Sequence, residues 1–500
     1  MNTYIIYTLR ISITGIFALY FVSCSGFLDK NPLDQISNEV FWQSEKEADM
    51  ALAGVYSRLR SYPFGHKDTD WDIMAGDVDG NQSHAVVNIA RGTIEPTSGG
   101  LVSSIYSDCY QGISSCNFFL ENIEKAPINE AKLNQYKGEV LFLRALFYFT
   151  LSETYGGVPV YTSSMTIDEA KVKQNTKEEV IQLVISDLDF AINHLPNTGY
   201  ADGHAVKGSA LALKAKVLLH NQQWQEAANT ANQVIQDNVF SLYEDFRTLF
   251  LASGQTDNPE IIFSTRYLSP DISSDLDVRW SWHGVTNPRQ ELVDAYECTD
   301  GLPVTSSPLY NPSNWRLNRD PRLLMTIKAF EDSVVNSSGQ TVGFNYNAVS
   351  GTGYNPVKYC NWDVLPIDYS TISEQDWIIL RYADVLLMYA EAANEVNGPD
   401  ASVYSAVNQV RNRVDMPSLP SGLAQDEMRA RIRNERRVEL ALEGKRWGDI
   451  KRWKTAEDYI PTLVDPGGAR RVFDPNEHYL LPFPQSEIDI NPNLVQNPGY

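Results

Sequence analysis

Apolar residues recur at helical spacing through most of the first half of the chain. In 45–60, Ala48, Leu52, Val55, Tyr56 and Leu59 fall on one face, which predicts an amphipathic helix. Segments 101–124 and 130–154 read as long helices joined through Ala126-Pro127, and Gly156-Gly157 with Pro159 beyond stops the second. Further helices are predicted at 177–195, Lys207–His220 and Trp224–Asp237. In the last two, Leu211, Ala215 and Leu218, then Trp224, Ala227 and Ala231, have the spacing of a tetratricopeptide unit, where alanines let antiparallel helices approach closely. Another hairpin is predicted from 377–396 and 401–414, separated by Asn397-Gly398-Pro399-Asp400. The fold class is therefore mainly α, built of tetratricopeptide-like helix pairs with a few short strands.

Two stretches break this rhythm. Residues 61–100 are polar and glycine-rich, and 240–376 hold short apolar runs such as 261–264 and 323–329, cut by Gly, Pro, Asn and Ser. An irregular region of that length is uncommon unless it carries a site or an interface. The chain divides accordingly into a signal peptide (1–23), a lipidated tether (24–36), an N-terminal helical part (37–239) with 61–100 inserted, a loop-rich variable region (240–376) and a C-terminal helical part (377–500). All of 37–500 reads as one compact unit.

Charge narrows the partners. Lys and Arg total 41 against 63 Asp and Glu, a net −22, which opposes binding to nucleic acid. The start of the chain sets the compartment: a weakly basic stretch ending at Arg10 precedes an apolar run, 11–22, too short to span a bilayer of roughly 20 residues. Phe21-Val22-Ser23-Cys24 resembles a bacterial lipobox, so Cys24 is expected to be acylated and to anchor a soluble body to the membrane. Cys109 and Cys116 are spaced about 10 Å along a helix, beyond the roughly 7 Å limit for a disulfide. No Cys/His cluster has zinc spacing, so buried free thiols are expected, with no cofactor.

The 26 Tyr and 10 Trp suit both core packing and stacking on sugar rings. Two irregular segments combine such rings with polar groups. In 66–91, Trp71 stands among Asp70, Asp72, Asp77, Asp79, Asn81 and Gln82, with His84 and Arg91 following; in 279–315, Trp280 and Trp282 are read as alternating on one face of an extended segment, with Tyr310 and Trp315 downstream. The candidate ligand contacts are Trp71, Asp77, Asn81, Trp280, Trp282 and Trp315. Asp68, Asp70 and Asp72 faintly resemble a calcium loop, but Ile73 replaces the sixth-position Gly and Asp79 the twelfth-position Glu, so solvated carboxylates are the expectation. No phosphate loop, G-x-S-x-G or H-E-x-x-H is present, and nothing singles out a carboxylate pair, which argues against an enzyme.

Several islands then agree in order with one family. Phe27-Leu28-Asp29, LRALFYFTLSETYGGVPVY at 143–161, TGYNPVKY at 352–359, RYADVLLMYAEAANEVNG at 381–398, VNQVRNRVDMP at 407–417, IRNERRVELALEGKRWGDIKRW at 432–453 and the ending LLPFPQSEIDINPNLVQNPGY resemble the SusD/RagB outer-membrane nutrient-binding lipoproteins. The resemblance implies four tetratricopeptide-like helix pairs under a loop-rich ligand face. It also implies capture of an oligosaccharide or other glycan for a SusC-like TonB-dependent transporter at the outer-membrane surface. A peptide- or protein-binding RagB-like module is the alternative, and a secreted carbohydrate-active enzyme a third reading. Read on residues alone, Arg433, Arg436 and Arg437 pair with Glu435 and Glu439 along an exposed helix face, each pair contributing about 0.3–0.5 kcal/mol. Lys445, Arg446, Lys451 and Arg452 interleave with Trp447 and Trp453, again as scaffold.

Overall fold

The computed structural model describes residues 41–80, 85–343 and 351–500. The signal peptide, Cys24, the tether, Asn81, Gln82 and His84 lie outside the described residues.

The scaffold starts with α1 (Glu45–Tyr56), continues after a short helix α2 (Asp70–Ala75) to α3 (Leu101–Asn122), and places α3 against α1. Three further pairs follow: α4 (Glu130–Tyr155) with α5 (Lys177–His194), α6 (Lys207–His220) with α7 (Trp224–Asp237), and α8 (Tyr382–Asn397) with α9 (Ala401–Asn412). Successive pairs also touch, α3 on α4, α5 on α6 and α7 on α8. Helix starts coincide with side chains that satisfy orphan N–H groups. Ser44 Oγ accepts from Glu47 N, Asn129 Oδ1 from Lys132 N, and Asp400 Oδ1 from Ser402 N and Val403 N; Thr176 and Glu179 form a capping box. With both α3 and α5 packed on α4, its second half is buried at most positions, continuously from Phe142 to Phe149 and again at Leu151, Ser152, Thr154 and Tyr155. At Gly112 a β-carbon would sit 2.6 Å from the Phe147 ring, so only glycine permits this α3–α4 approach.

The stack runs from α7 straight to α8, although roughly 140 positions separate Asp237 from Tyr382 in sequence, far more than an ordinary connection needs. The excursion leaves and returns on an antiparallel pair, β2 (Ile261–Thr265) with β8 (Trp377–Arg381), both fully buried. Here the structure corrects the expected helix at 377–396: Trp377–Arg381 is a strand and the helix begins at Tyr382. The continuous apolar run Trp377-Ile378-Ile379-Leu380 suits a strand buried on both faces, and β2 supplies its hydrogen bonds. Inside the excursion lie two small ribbons, β4 (Ile327–Ala329) with β7 (Tyr354–Pro356) and β5 (Ser333–Val335) with β6 (Thr341–Gly343).

The two irregular insertions meet. β1 (Val78–Asp79), from the first, pairs antiparallel with β3 (Asn287–Pro288), from the second, and Arg279 reaches Asp70 at 2.5 Å. Cys109, Cys116, Cys298 and Cys360 are buried free thiols. Among the described residues no helix is long and apolar enough to cross a membrane.

The last part of the chain wedges between scaffold and insertions. Helix α10 (Gln425–Glu439) packs on α8 and α9, and α11 (Arg446–Arg452) packs on α2. The exposed same-helix ion pairs expected along 433–439 do not form. Glu435, Arg436 and Glu439 are buried and find partners from distant segments instead. Glu439 accepts from Arg322 (2.8 Å), Arg381 (2.6 Å) and Arg413 (2.6 Å); Glu435 accepts from Arg322 (2.6 Å) and Arg411 (2.8 Å); Glu443 accepts from Lys358 (2.6 Å) and Arg381 (2.7 Å). Arg436 pairs with Asp384 and Asp449, and Arg452 with Glu391. Helical spacing brings residues onto one face, and that face points inward to carboxylates and guanidiniums from the insertion and α8–α9. At Gly444 the backbone takes φ +71 and a β-carbon would sit 2.6 Å from Asp68 Cγ, so the turn joining α10 to α11 needs glycine twice over.

Candidate ligand-binding face

Where the second insertion folds back on itself it makes an open cleft. Residues Val278–Trp282 form a single π-helical turn. In a helical turn residues two apart point to nearly opposite sides, whereas in a strand they share a face. Trp280 and Trp282 therefore diverge rather than standing side by side. Trp280 is fully buried, edge-on to Tyr359 at 5.9 Å, and Tyr359 stacks on Trp377 at 4.7 Å. Trp282 is half-buried and meets Tyr369 edge-on at 5.3 Å; His283 approaches the same ring at 5.3 Å.

A buried carboxylate holds the two walls together. Asp277 Oδ1 accepts from Asn361 N (3.1 Å), and its Oδ2 accepts from Ser373 Oγ (2.9 Å) and Gln375 Nε2 (2.9 Å). Burial pushes the Asp277 carboxyl up from its ordinary range, against those hydrogen bonds. Ser274 and Ser373 add a backbone bridge between the same segments. The resulting cleft, ≈ 820 Å³, is lined by Arg60, Tyr267, Asp271, Asp275, His283 and Tyr369, with hydroxyls from Ser273, Ser370 and Thr371. Tyr369 is 69% exposed, unusual for so large a ring, and its bracing by Trp282 and His283 fixes the orientation of the face it offers. At the back, Tyr267 N donates to Asp376 Oδ1 (2.9 Å), and burial raises the Asp376 carboxyl to about 6 although Arg266 pairs with it at 2.7 Å. An aromatic platform ringed by hydroxyl and carboxylate acceptors can stack on a sugar and bind its hydroxyls.

Two family models match this chain, one described as the SusD family over residues 259–500, the other as starch-binding associating with outer membrane over residues 26–219. The chain belongs to the SusD/RagB family. SusD-like protein P2 of Formosa agariphila is 29% identical, covering 96% of this chain and 98% of its own. A SusD-like carbohydrate-binding protein of Bacteroides fragilis superposes with a TM-score of 0.82 at 26% identity, over 91% of this chain and 100% of that one. A laminarin-binding SusD-like protein gives 0.73 at 26% identity, over 92% of this chain and 100% of the other.

Within this SusD-family chain the residues singled out from sequence scatter. Trp282 does not line the cleft itself but braces Tyr369 while packing against the small apolar cluster of Val278, Val357 and Ile367, and Trp280 is fully buried in the core. Trp71, 9% exposed on α2, faces a cavity of ≈ 120 Å³ that Trp447 and Lys216 also line. Asp77 is buried and accepts from Arg437 Nε at 2.9 Å and Nη2 at 2.5 Å. Trp315 is half-buried away from the cleft, edge-on to Tyr354 at 5.2 Å with Arg316 over its ring. The calcium-like aspartates turn to different partners: Asp68 to Lys445 (3.7 Å), Asp70 to Arg279 and Tyr62, and Asp72 to Gly444 N (3.0 Å). They offer no shared coordination sphere, and among the described residues no group of three His, Cys, Asp or Glu side chains converges as for a metal. Sequence reasoning missed Tyr369, Tyr267, Arg60 and Asp271. The available signal was local: Pro366-Ile367-Asp368-Tyr369-Ser370-Thr371 sets a ring among turn-forming residues.

Proposed function

We propose that this protein is a lipid-anchored glycan-binding protein of the outer-membrane surface. It would take an oligosaccharide onto Tyr369, which Trp282 braces, and deliver it to a SusC-like TonB-dependent transporter without cleaving it. The observation that carries this reading is the exposed Tyr369 ring, held edge-on by Trp282 and His283 over a polar cleft of ≈ 820 Å³. The carbohydrate- and laminarin-binding relatives support the ligand class, and the outer-membrane description of the matching family supports the location. Cys24 would carry the acyl anchor. Binding would rest on stacking and on hydrogen bonds from ring hydroxyls to Asp271 and Asp275.

Affinity electrophoresis and calorimetry with laminarin and starch test it. Tyr369→Ala is expected to weaken binding about tenfold or more, by roughly 1–3 kcal/mol for a lost stacking ring. Unchanged affinity in Tyr369→Ala and Trp282→Ala, or no binding to any polysaccharide, would sink the reading, and release of sugar products would replace it with an enzyme. Cys24→Ala should free the protein from membranes, and a large β-barrel should co-purify from detergent extracts.

A further inference from the structure

The cleft does not end at Arg60. The Arg60 side chain also lines a second hollow of ≈ 520 Å³ between the end of α1, the end of β2 and the loop before α6, with Asp202, His204 and Arg266 on its walls. Asp49, Asp202 and His204 in turn border a third hollow of ≈ 340 Å³ that reaches Lys132 and Tyr136 at the start of α4. Each hollow falls within the roughly 300–1,000 Å³ that accommodates a small ligand, and the shared walls put them end to end.

The wall of this trough is built rather than incidental. Glu139, fully buried on α4, accepts from His204 Nδ1 (2.7 Å), Tyr56 Oη (2.8 Å) and Gln135 Nε2 (3.3 Å). Tyr56 Oη accepts in turn from Ala205 N at 2.8 Å, so the loop is pinned to both α1 and α4. With Nδ1 committed to Glu139, Nε2 is the ring nitrogen left for a ligand, and the His204 side chain is 44% exposed. Arg60 is exposed, and its guanidinium makes no hydrogen bond or ion pair among the described residues, which leaves a planar fork of donors at the junction between cleft and trough. The Asp202 carboxylate and the Ser57 hydroxyl, whose proton goes to Gly54 O, supply acceptors of the kind that sugar hydroxyls require.

We infer that the ligand is a chain of linked sugar units that lies across the cleft and continues over Arg60 into the trough beside Asp202 and His204. This extension rests on the glycan reading of the Tyr369 cleft. A short oligosaccharide would fill the cleft alone; a longer one would gain contacts in the trough.

Calorimetry on the intact protein with laminari- and malto-oligosaccharides, from disaccharide to octasaccharide, tests this. Affinity is expected to rise about tenfold between the tetrasaccharide and the octasaccharide. His204→Ala is expected to cancel that rise while leaving tetrasaccharide affinity unchanged. Ala53→Trp, placed on the exposed face of α1 where only the trough is lined, should do the same by filling the space, and it leaves the Glu139 hydrogen bonds intact. If the tetrasaccharide binds and depends on Tyr369, yet affinity is flat with length or the rise survives both substitutions, the extension is overturned and the cleft reading stands. If no oligosaccharide of either series binds, the cleft reading falls and the extension with it.

Discussion

Glu439 and Tyr369 occupy opposite extremes of one molecule. Glu439 is fully enclosed, with guanidiniums from Arg322, Arg381 and Arg413 on its two oxygens; Tyr369 is 69% exposed and meets only Trp282 and His283 edge-on among aromatic neighbours. Composition suggests the reverse arrangement, charge at the surface and aromatics inside. What decides is whether partners are fixed by the fold. Burial pushes the Glu439 carboxyl up, but Arg413, Arg381 and Arg322 outweigh it and hold it well below the usual carboxylate range. Those cations come from the residue just after α9, from β8 and from the insertion, so the charges tie together segments that are distant in sequence. At the cleft the fold braces the ring from two neighbours and leaves most of it exposed, which is what a ligand needs.

The largest effect should come from breaking the enclosed side of this contrast. Glu439→Ala leaves three guanidiniums short of a shared partner in the interior, and removal of one member of a buried pair costs about 3–5 kcal/mol. Chemical denaturation should show at least that loss, which is a large part of the roughly 5–15 kcal/mol available to a folded domain. A loss below about 1 kcal/mol would mean that water reaches the cluster and that it is a surface network after all.

The second test separates the two tryptophans of one turn. Trp280→Ala is expected to destabilise by about 3–5 kcal/mol, because Trp280 is fully buried against Tyr359. Trp282→Ala should cost less stability and more affinity, since its ring braces Tyr369. Equal stability losses with unchanged binding would erase the distinction between core and cleft.

These cases also show what the sequence could and could not reveal. Helices such as Lys207–His220 and Trp224–Asp237 are legible because their apolar period, small residues and turn residues are local signals. Trp377–Arg381 was not, because a short run of apolar residues looks alike in helix and strand, and its partner β2 lies more than a hundred positions away. The arginine-rich helix suggested its own glutamates as partners, since partners in the insertion leave no mark at helical spacing. The irregular insertions were visible as regions. Tyr369 and Arg60 were not, because the cleft exists only where Asp277 ties two segments nearly a hundred positions apart.

Asp68 offers a pH-dependent probe of the boundary between α2 and the turn that joins α10 to α11. Burial raises its carboxyl from 3.8 to about 6, despite Lys445 and Lys216 nearby. Between those values the folded state retains a proton that the unfolded state has released, so stability falls as pH rises through the window and the loss is complete above about 6. Asp68→Asn imitates the protonated form. It should match the parent near pH 4 and exceed it at pH 7–8 by about 2–3 kcal/mol, the free energy of holding that proton across the window. Thermal melts across that range check both the sign and the window, and a variant that is less stable at pH 8 would show that the Lys445 contact outweighs the burial.

The smallest expected effect lies three positions before Arg436. Arg433 shares helix α10 and a positive charge, but it makes no ion pair or hydrogen bond among the described residues; its guanidinium rests over the Trp453 ring at 4.6 Å, and burial lowers its pKa. Such a contact contributes about 0.5–1 kcal/mol, and an unbranched apolar side chain can cover the same ring. Arg433→Met should therefore change stability by less than about 1 kcal/mol. Arg436→Met, which strands Asp384 and Asp449 in the interior, should cost about 3–5 kcal/mol. Denaturation of the two variants side by side isolates the claim that partners fixed by the fold, rather than charge itself, make this helix part of the core; equal losses would refute it.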